Sequence, residues 1–411
     1  MKIALVHNTY LEQGGEDVVF WQERRLLQEA GHQVLEYQRF NREMEQYSLA
    51  RRLTIIGRTV WASDSYRDFT KLLRDNRPDV VHVHNTFPLV SPSILWACRK
   101  ERVPVVHTLH NYRLLCPGAN FIRDGKPCED CTQGSIWQSV AHGCYRGSRP
   151  QTAAVALMLS VHRAKKTWTQ AVDRYIVLTE FARSRFVNAG FAPEKISIKP
   201  NYVDPDPGKR SGSDPSYALF VGRVSEEKGA PTLLKAWRQL PKHCSLRVVG
   251  DGPFSAEMES QVRSEGLSNI SFTGRLPRER VIEEMKGARF VIFPSQLYEN
   301  MPLTIIEAFA CGVPVLASKL GAMQEIVSQD RTGLFFEPRN ADDLARTAKL
   351  AWEQPQYMRH LGDNARAEYE AKYTAAANYR QLMEIYRQVI TSSAEDAGTE
   401  GIEEFEEVSS V

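Results

Sequence analysis

Short β-branched runs alternate with amphipathic stretches along most of the 411 residues, and the alternation is interrupted once, near the middle, by a stretch dense in proline and glycine. A strand followed by a helix and another strand rejoins its sheet only through a crossover. The pattern therefore predicts parallel sheets with helices on both faces, built twice. In the first half, strands are expected near Lys2-His7, Gln33-Tyr37, Asp79-His84, Pro104-Leu109, Tyr175-Leu178 and Ile196-Ile198, with helices such as Asp17-Ala30 between them. The stretch Pro200-Asn201-Tyr202-Val203-Asp204-Pro205-Asp206-Pro207-Gly208, followed by Gly212 and Pro215, continues neither a helix nor a central strand, and is read as the interdomain linker. Strands then resume near Tyr217-Val221, Leu246-Val249, Ile270-Thr273, Phe290-Phe293 and Val313-Ala317, with helices at Pro231-Gln239, Glu257-Glu265 and Pro302-Cys311. The expected units are a doubly wound domain over 1–200, a second over 201–375, a terminal helix over 376–390 packing back on the first domain, and an acidic disordered tail over 391–411. That tail carries seven acids and no base.

A hydrophobic share of 42% is enough for two cores. No run of eighteen apolar residues occurs, and Ile3-Ala4-Leu5-Val6 is too short for a signal peptide, so a cytoplasmic protein is expected. Net charge is +2, yet residues 1–200 hold 28 Lys and Arg against 19 Asp and Glu. Such a basic half suits a phosphorylated ligand or an anionic membrane surface, with a solvated face of scattered charge as the equal alternative. Nothing in the sequence reads as a nucleic-acid-binding module.

The segment Tyr298-Glu299-Asn300-Met301-Pro302-Leu303-Thr304-Ile305-Ile306-Glu307-Ala308-Phe309-Ala310-Cys311-Gly312-Val313-Pro314 carries the sharpest chemical signal. Pro302 suits a first helical turn and Gly312 the residue just past the helix end. Glu299 then precedes the helix, and Glu307 lies two turns inside it. The free N–H groups near Leu303 and Thr304 suit a diphosphate, and the carboxylates suit sugar hydroxyls. This pair, separated by seven residues, resembles that of glycosyltransferase family 4, a retaining family with the two-domain GT-B fold. The resemblance spans nearly the whole chain. It implies that Glu299 contacts the donor sugar and Glu307 the nucleotide ribose.

A second match is Phe220-Val221-Gly222-Arg223-Val224-Ser225-Glu226-Glu227-Lys228-Gly229, directly after a strand. Arg223 and Lys228 match the family's cations for a leaving nucleoside diphosphate, whose growing negative charge fixed cations stabilise. Gly14 and Gly15 follow the first strand and let backbone approach a phosphate, but the spacing of a dinucleotide fingerprint is absent. In Val106-His107-Thr108-Leu109-His110-Asn111-Tyr112, His110 resembles the family's histidine facing the transfer centre. Read without the resemblance, it is a hydrogen-bonded structural histidine. Asn85 and Glu180 are expected at the acceptor edge of the cleft, as are Thr179 and Asn201 more loosely. Gly252, Thr273, Gly274 and Arg275 look like loops flanking the nucleobase, and ordinary turn chemistry explains them nearly as well.

Four of the seven cysteines, Cys116, Cys128, Cys131 and Cys144, fall in one polar insertion, 116–144. They offer a structural zinc site, or reduced and redox-labile thiols. The resemblance implies no obligatory catalytic metal, and Asp204-Pro205-Asp206 is read as a coincidental acidic pair. It also implies a UDP- or GDP-sugar donor and a saccharide acceptor in bacterial surface polysaccharide or glycolipid synthesis. Cations and aromatics in Arg51–Trp61 and His162–Trp168 suggest helices resting on the inner face of the cell membrane, and so a lipid-linked acceptor; amphipathic packing is the alternative. A nicotinamide oxidoreductase lacks its fingerprint, and a pyridoxal phosphate-dependent phosphorylase needs a longer chain. A catalytically silent nucleotide-sugar-binding partner has the same binding residues and stays open.

Overall fold

A computed structural model describes residues 1–11, 14–48, 54–211 and 215–408, with side-chain environments through Glu395. The first sheet contains β1 (Lys2–Thr9), β2 (Gln33–Phe40), β3 (Val80–Val83) and β4 (Val105–Thr108). A small antiparallel hairpin, β5 (Ile122–Arg123) with β6 (Lys126–Pro127), interrupts it, and β7 (Arg174–Val177) and β8 (Ile196–Ile198) complete it. The spatial order is β2-β1-β3-β4-β7-β8, and every pairing is parallel. The second sheet holds β9 (Tyr217–Val221), β10 (Leu246–Val249), β11 (Ile270–Gly274), β12 (Ala288–Phe293), β13 (Val315–Ser318) and β14 (Gly333–Phe336). Its order is β11-β10-β9-β12-β13-β14, again parallel throughout.

Strands buried on both faces, such as the wholly buried Val80–Val83 and Val315–Ser318, explain why continuous β-branched runs rather than alternating ones mark the sheets. β14 was not legible in this way. It is four residues long and starts at Gly333, where a side chain would press to 2.0 Å from the Val315 carbonyl oxygen.

The expected terminal helix is Ala375–Val408. Leu382, Met383, Tyr386 and Val389 bury against Ile3, Leu5 and Phe20 of the first domain. The backbone stays helical through Val408 instead of losing structure at residue 391, a correction to the expected tail. Its Glu and Ala residues favour helix, and acidic composition alone does not abolish it.

The two segments expected at a membrane surface lie against each other in the fold. Arg51, Arg52 and Leu53 lie outside the described residues. Of the remainder, Ile56, Arg163, Lys165 and Lys166 are exposed, whereas His162 and Trp168 pack inward. His162 is buried, stacks on Trp61 at 6.3 Å and tilts against Trp168 at 5.6 Å, and its Nε2 donates to the Val60 carbonyl at 2.8 Å. The aromatics of each segment thus meet each other. Among the described residues, no helix is long and apolar enough to cross a membrane.

Candidate active site

In each sheet the chain reverses direction of winding beside its first strand, and loops at the carboxyl ends of the strands diverge there to leave a crevice. In the second domain this crevice lies between β9 and β12, and in the first between β1 and β3. The two open onto one cleft of about 410 Å³. The second domain lines it with Gly222, Arg223, Lys228, Glu299, Leu303 and Thr304, and the first with Gly14, Gly15, Glu16 and His110.

Two helix N-termini meet across this space. Helix Gly15–Glu29 begins directly after Gly14, and helix Leu303–Ala310 directly after Pro302, so Pro302 caps the helix rather than opening its first turn. A Cβ on Gly15 would lie 3.7 Å from the Leu303 side chain. Each end presents unpaired N–H groups and the positive pole of its helix dipole. Gly312 follows the second helix in the left-handed conformation expected of it.

Lys228 Nζ donates to Glu299 Oε1 at 2.6 Å, and the Ser295 hydroxyl donates to the same oxygen at 2.5 Å. The ammonium is thus aimed into the cleft by the carboxylate expected to hold the sugar. Glu307 lies on the helix behind this pair. Burial raises its carboxyl above the ordinary range, opposed by Arg278, whose Nε donates to it at 3.3 Å. Arg278 was missed in the sequence because it lies 29 residues from its partner.

His110 lines the cleft, and burial, reinforced by the neighbouring His7, Lys199, His82 and His107 side chains, depresses its pKa well below the usual range, so the imidazole is neutral. Its Nε2 is 3.0 Å from His84 Nδ1. His84 Nε2 lies 3.4 Å from Glu23 Oε2, and Lys199 forms an ion pair with the other Glu23 oxygen. On the other side His7 Nε2 pairs with Asp17 at 2.8 Å, and Asp17 accepts from the Gly14 N–H at 2.8 Å. A buried polar network therefore supports both the histidine and the glycine turn. Single residues such as Glu23 carry no local signal of it.

Glu16 was also missed, although it adjoins the glycine pair. Asn85 and Asn111 each donate to its carboxylate at 3.0 Å. Burial, aided by the Asp17 charge, pushes its pKa from 4.5 to about 7. The folded chain therefore holds this proton more tightly than the unfolded chain. The resulting stability is present in full below about pH 4.5 and is lost as pH rises through about 7. Glu16→Gln stays neutral, so its unfolding free energy relative to the parent is expected to rise between about pH 5 and pH 8. Denaturation at several pH values checks this, and a pH-independent difference would refute the buried titration.

Not every expected site residue reaches the cleft. Asn85 stands behind it, donating to the Asn8 carbonyl at 2.7 Å as well as to Glu16, so it acts through Glu16. Asn201 does line the cleft. Glu180 is a correction: its carboxylate turns to Arg183 at 3.0 Å, and its backbone N–H donates to Glu325 at 2.8 Å. It braces one domain on the other because it begins helix Glu180–Asn188, whose free N–H groups Glu325 caps. Thr179 caps the same helix and donates to the Asn300 carbonyl at 3.3 Å. Thr273 and Gly274 end β11, the edge strand, and Arg275 follows it, all three outside the cleft lining. Gly252 is also outside it, and a Cβ there would meet the Val224 carbonyl oxygen at 2.4 Å, so close backbone approach demands glycine. Asp206 is engaged by Arg366 through two hydrogen bonds of 2.7 and 2.6 Å, a structural role for the linker's acidic pair.

Two doubly wound parallel sheets whose strand ends share one cleft define the GT-B class of fold. Family models tile the chain in the same two parts: Glycosyltransferase Family 4 matches residues 13–207, and Glycosyl transferases group 1 matches 206–368. The chain belongs to glycosyltransferase family 4. Among curated relatives, the alpha-D-kanosaminyltransferase of Streptomyces kanamyceticus is 24% identical over 58% of this chain and 61% of its own length. The O-antigen chain mannosyltransferase C of Escherichia coli is 27% identical over 44% of this chain and 48% of its own. The chain thus spans between about half and three fifths of these relatives. The crystal structure of Anabaena HepE in complex with UDP shares the fold, with a TM-score of 0.68 at 18% identity over 94% of this chain and 100% of that one.

Proposed function

We propose that this chain is a retaining glycosyltransferase that moves a sugar from a nucleoside-diphosphate donor to a saccharide acceptor in polysaccharide synthesis. The observation that carries the reading is the convergence of two helix N-termini, Arg223 and Lys228 on one cleft that also holds Glu299. An anion is the ligand such a site favours, and a diphosphate fits its charge. The UDP bound by the similarly folded Anabaena HepE supports this class of donor, and the Escherichia coli O-antigen relative supports a polysaccharide product.

In this reading Glu299 accepts hydrogen bonds from the donor sugar and Glu307 from the ribose. The acceptor hydroxyl attacks the anomeric carbon on the face the diphosphate leaves, and its proton passes to a departing phosphate oxygen. Lys228 moves from Glu299 to the phosphates, so charge stabilisation grows as the glycosidic bond breaks. Neutral His110 orients the sugar without adding charge beside it.

The test is thermal unfolding with UDP-glucose, GDP-mannose and ADP-glucose, followed by nuclear magnetic resonance of the product's anomeric configuration. A bound donor at about 100 times its Kd is expected to add about 2.7 kcal/mol. Absence of stabilisation by all three would defeat the reading. Stabilisation without turnover on supplied saccharide acceptors would mark a silent binder instead, and an inverted product would refute retention.

A further inference from the structure

The insertion 116–144 has almost no core. Between Gly118 and Arg149, only Phe121 and Ile136 are buried apolar side chains. Its regular structure is the β5–β6 hairpin and two helices of about one turn, Asp130–Gln133 and Gln138–His142. Ala119, Phe121 and Asp124 hold left-handed backbone conformations, as does Arg146 just beyond. Each is a local cost that persists only where surrounding structure over-determines it. Two buried apolar side chains over this length do not supply that constraint.

The four cysteines stand at the points where a cross-link would do so. Cys116 enters the insertion, Cys128 follows β6, Cys131 lies in helix Asp130–Gln133, and Cys144 follows helix Gln138–His142. The chain folds Cys116 and Cys144 together around Gly118: a Cβ there would lie 3.7 Å from Cys116 Sγ and 3.1 Å from the Cys144 carbonyl oxygen. Cys131 lies within electrostatic reach of all three other thiols, and Cys144 of Cys116 and Cys128. All four are free thiols. Arg123 lies near Cys128 and Cys144, and Arg163 near Cys131, so cations surround the group.

We propose that Cys116, Cys128, Cys131 and Cys144 bind one Zn²⁺ ion as a tetrahedral thiolate site that holds the insertion together. Four soft ligands with no competing carboxylate in the set favour zinc over oxygen-seeking cations. The two arginines offset the surplus negative charge of four thiolates around one divalent ion. The sulfurs are not drawn into a single coordination sphere; among the described residues only Glu23, His82 and His84 bring three ligand atoms within 4.8 Å of one another, and there Lys199 already supplies a cation. Cys128, Cys131 and Cys144 are only half-buried, which leaves room for the side-chain rotation that closes the zinc site.

The insertion backs the cleft. Glu129, inside the Cys128–Cys131 turn, accepts from Arg185 at 2.9 Å, and Arg185 lies over the Tyr298 ring at 5.4 Å. Phe121 meets the edge of Tyr298 at 6.4 Å, and Tyr112 donates to the Glu299 carbonyl at 3.5 Å. Zinc would thus brace the loop that carries Glu299 without touching a reacting group.

Elemental analysis of the full chain, purified under reducing conditions without chelator, tests the proposal independently of any glycosyl transfer. About one zinc per chain is expected, released as an organomercurial titrates the thiols. Cobalt exchanged for zinc should show the absorption bands of a tetrahedral thiolate site. Cys131→Ser should retain zinc more than about tenfold less tightly. If that variant fails to fold, the parent's metal content and cobalt spectrum still decide. No zinc with four titratable thiols, a disulfide within the set, or bound iron in place of zinc would each overturn it.

Discussion

Lys228→Ala is expected to lower kcat for glycosyl transfer by about 100- to 1,000-fold, about 2.7–4 kcal/mol of transition-state stabilisation. The leaving diphosphate gains charge as the bond breaks, and Lys228 is the half-buried cation of the cleft, whereas Arg223 is exposed at its rim. A cation in a partly desolvated site interacts more strongly with a growing charge than one in water. Stability should change by no more than about 1 kcal/mol, because the lost ion pair with Glu299 is partly solvated and Ser295 still donates to that carboxylate. Lys228→Arg should recover part of the activity, since the charge remains but the donor geometry differs. Steady-state kinetics beside chemical denaturation separate the two effects. A loss of less than about tenfold, or a loss matched by unfolding, would show that Lys228 does not carry the leaving-group charge.

The largest stability effect is expected away from the cleft. Lys199 and Glu23 have side chains only 1% and 0% exposed, and they form an ion pair between the linker end of the first domain and helix Gly15–Glu29. Lys199 also donates to Asn378 at 3.3 Å, on the terminal helix. His82 and His84 lie 3.6 and 3.4 Å from Glu23, but burial holds both neutral, so they do not replace the missing cation. Lys199→Met therefore leaves a buried carboxylate uncompensated, at a cost of about 3–5 kcal/mol. Adding Glu23→Gln removes that charge and should restore a substantial part of the loss, so the two changes are strongly non-additive. Denaturation with hydrogen exchange followed at β1 and β3 assigns the effect to the first domain. A single-variant loss below about 1 kcal/mol, or simple additivity, would contradict the argument. Because His84 links Glu23 to His110, the single variant should also disturb the cleft.

Much of the architecture was legible because a parallel sheet buried on both faces writes each strand as a continuous apolar run. β9 and the Phe290–Phe293 part of β12 stand out on that basis, whereas β14 is short and opens with the glycine its neighbour requires. The site was legible where function is local in sequence. Glu299, the start of helix Leu303–Ala310 and the Gly222–Gly229 turn each announce themselves within a few residues of a strand end. Asn85 and Glu180 also stand at strand ends, but the chain uses one to hold Glu16 and the other to brace the domains. Strand-end position alone does not distinguish a ligand contact from a support.

The sequence by itself determined two parallel sheets, the break between them and the loops bearing the cleft's carboxylate and cations, because periodicity and turn chemistry act over short distances along the chain. Tertiary structure alone decided that Glu16 titrates near neutrality, that Arg278 faces Glu307, that His84, Glu23 and Lys199 stand behind His110, and that Trp61 and Trp168 enclose His162 instead of facing outward. These properties depend on desolvation and on partners far apart in sequence, and they come into being only when the chain closes on itself.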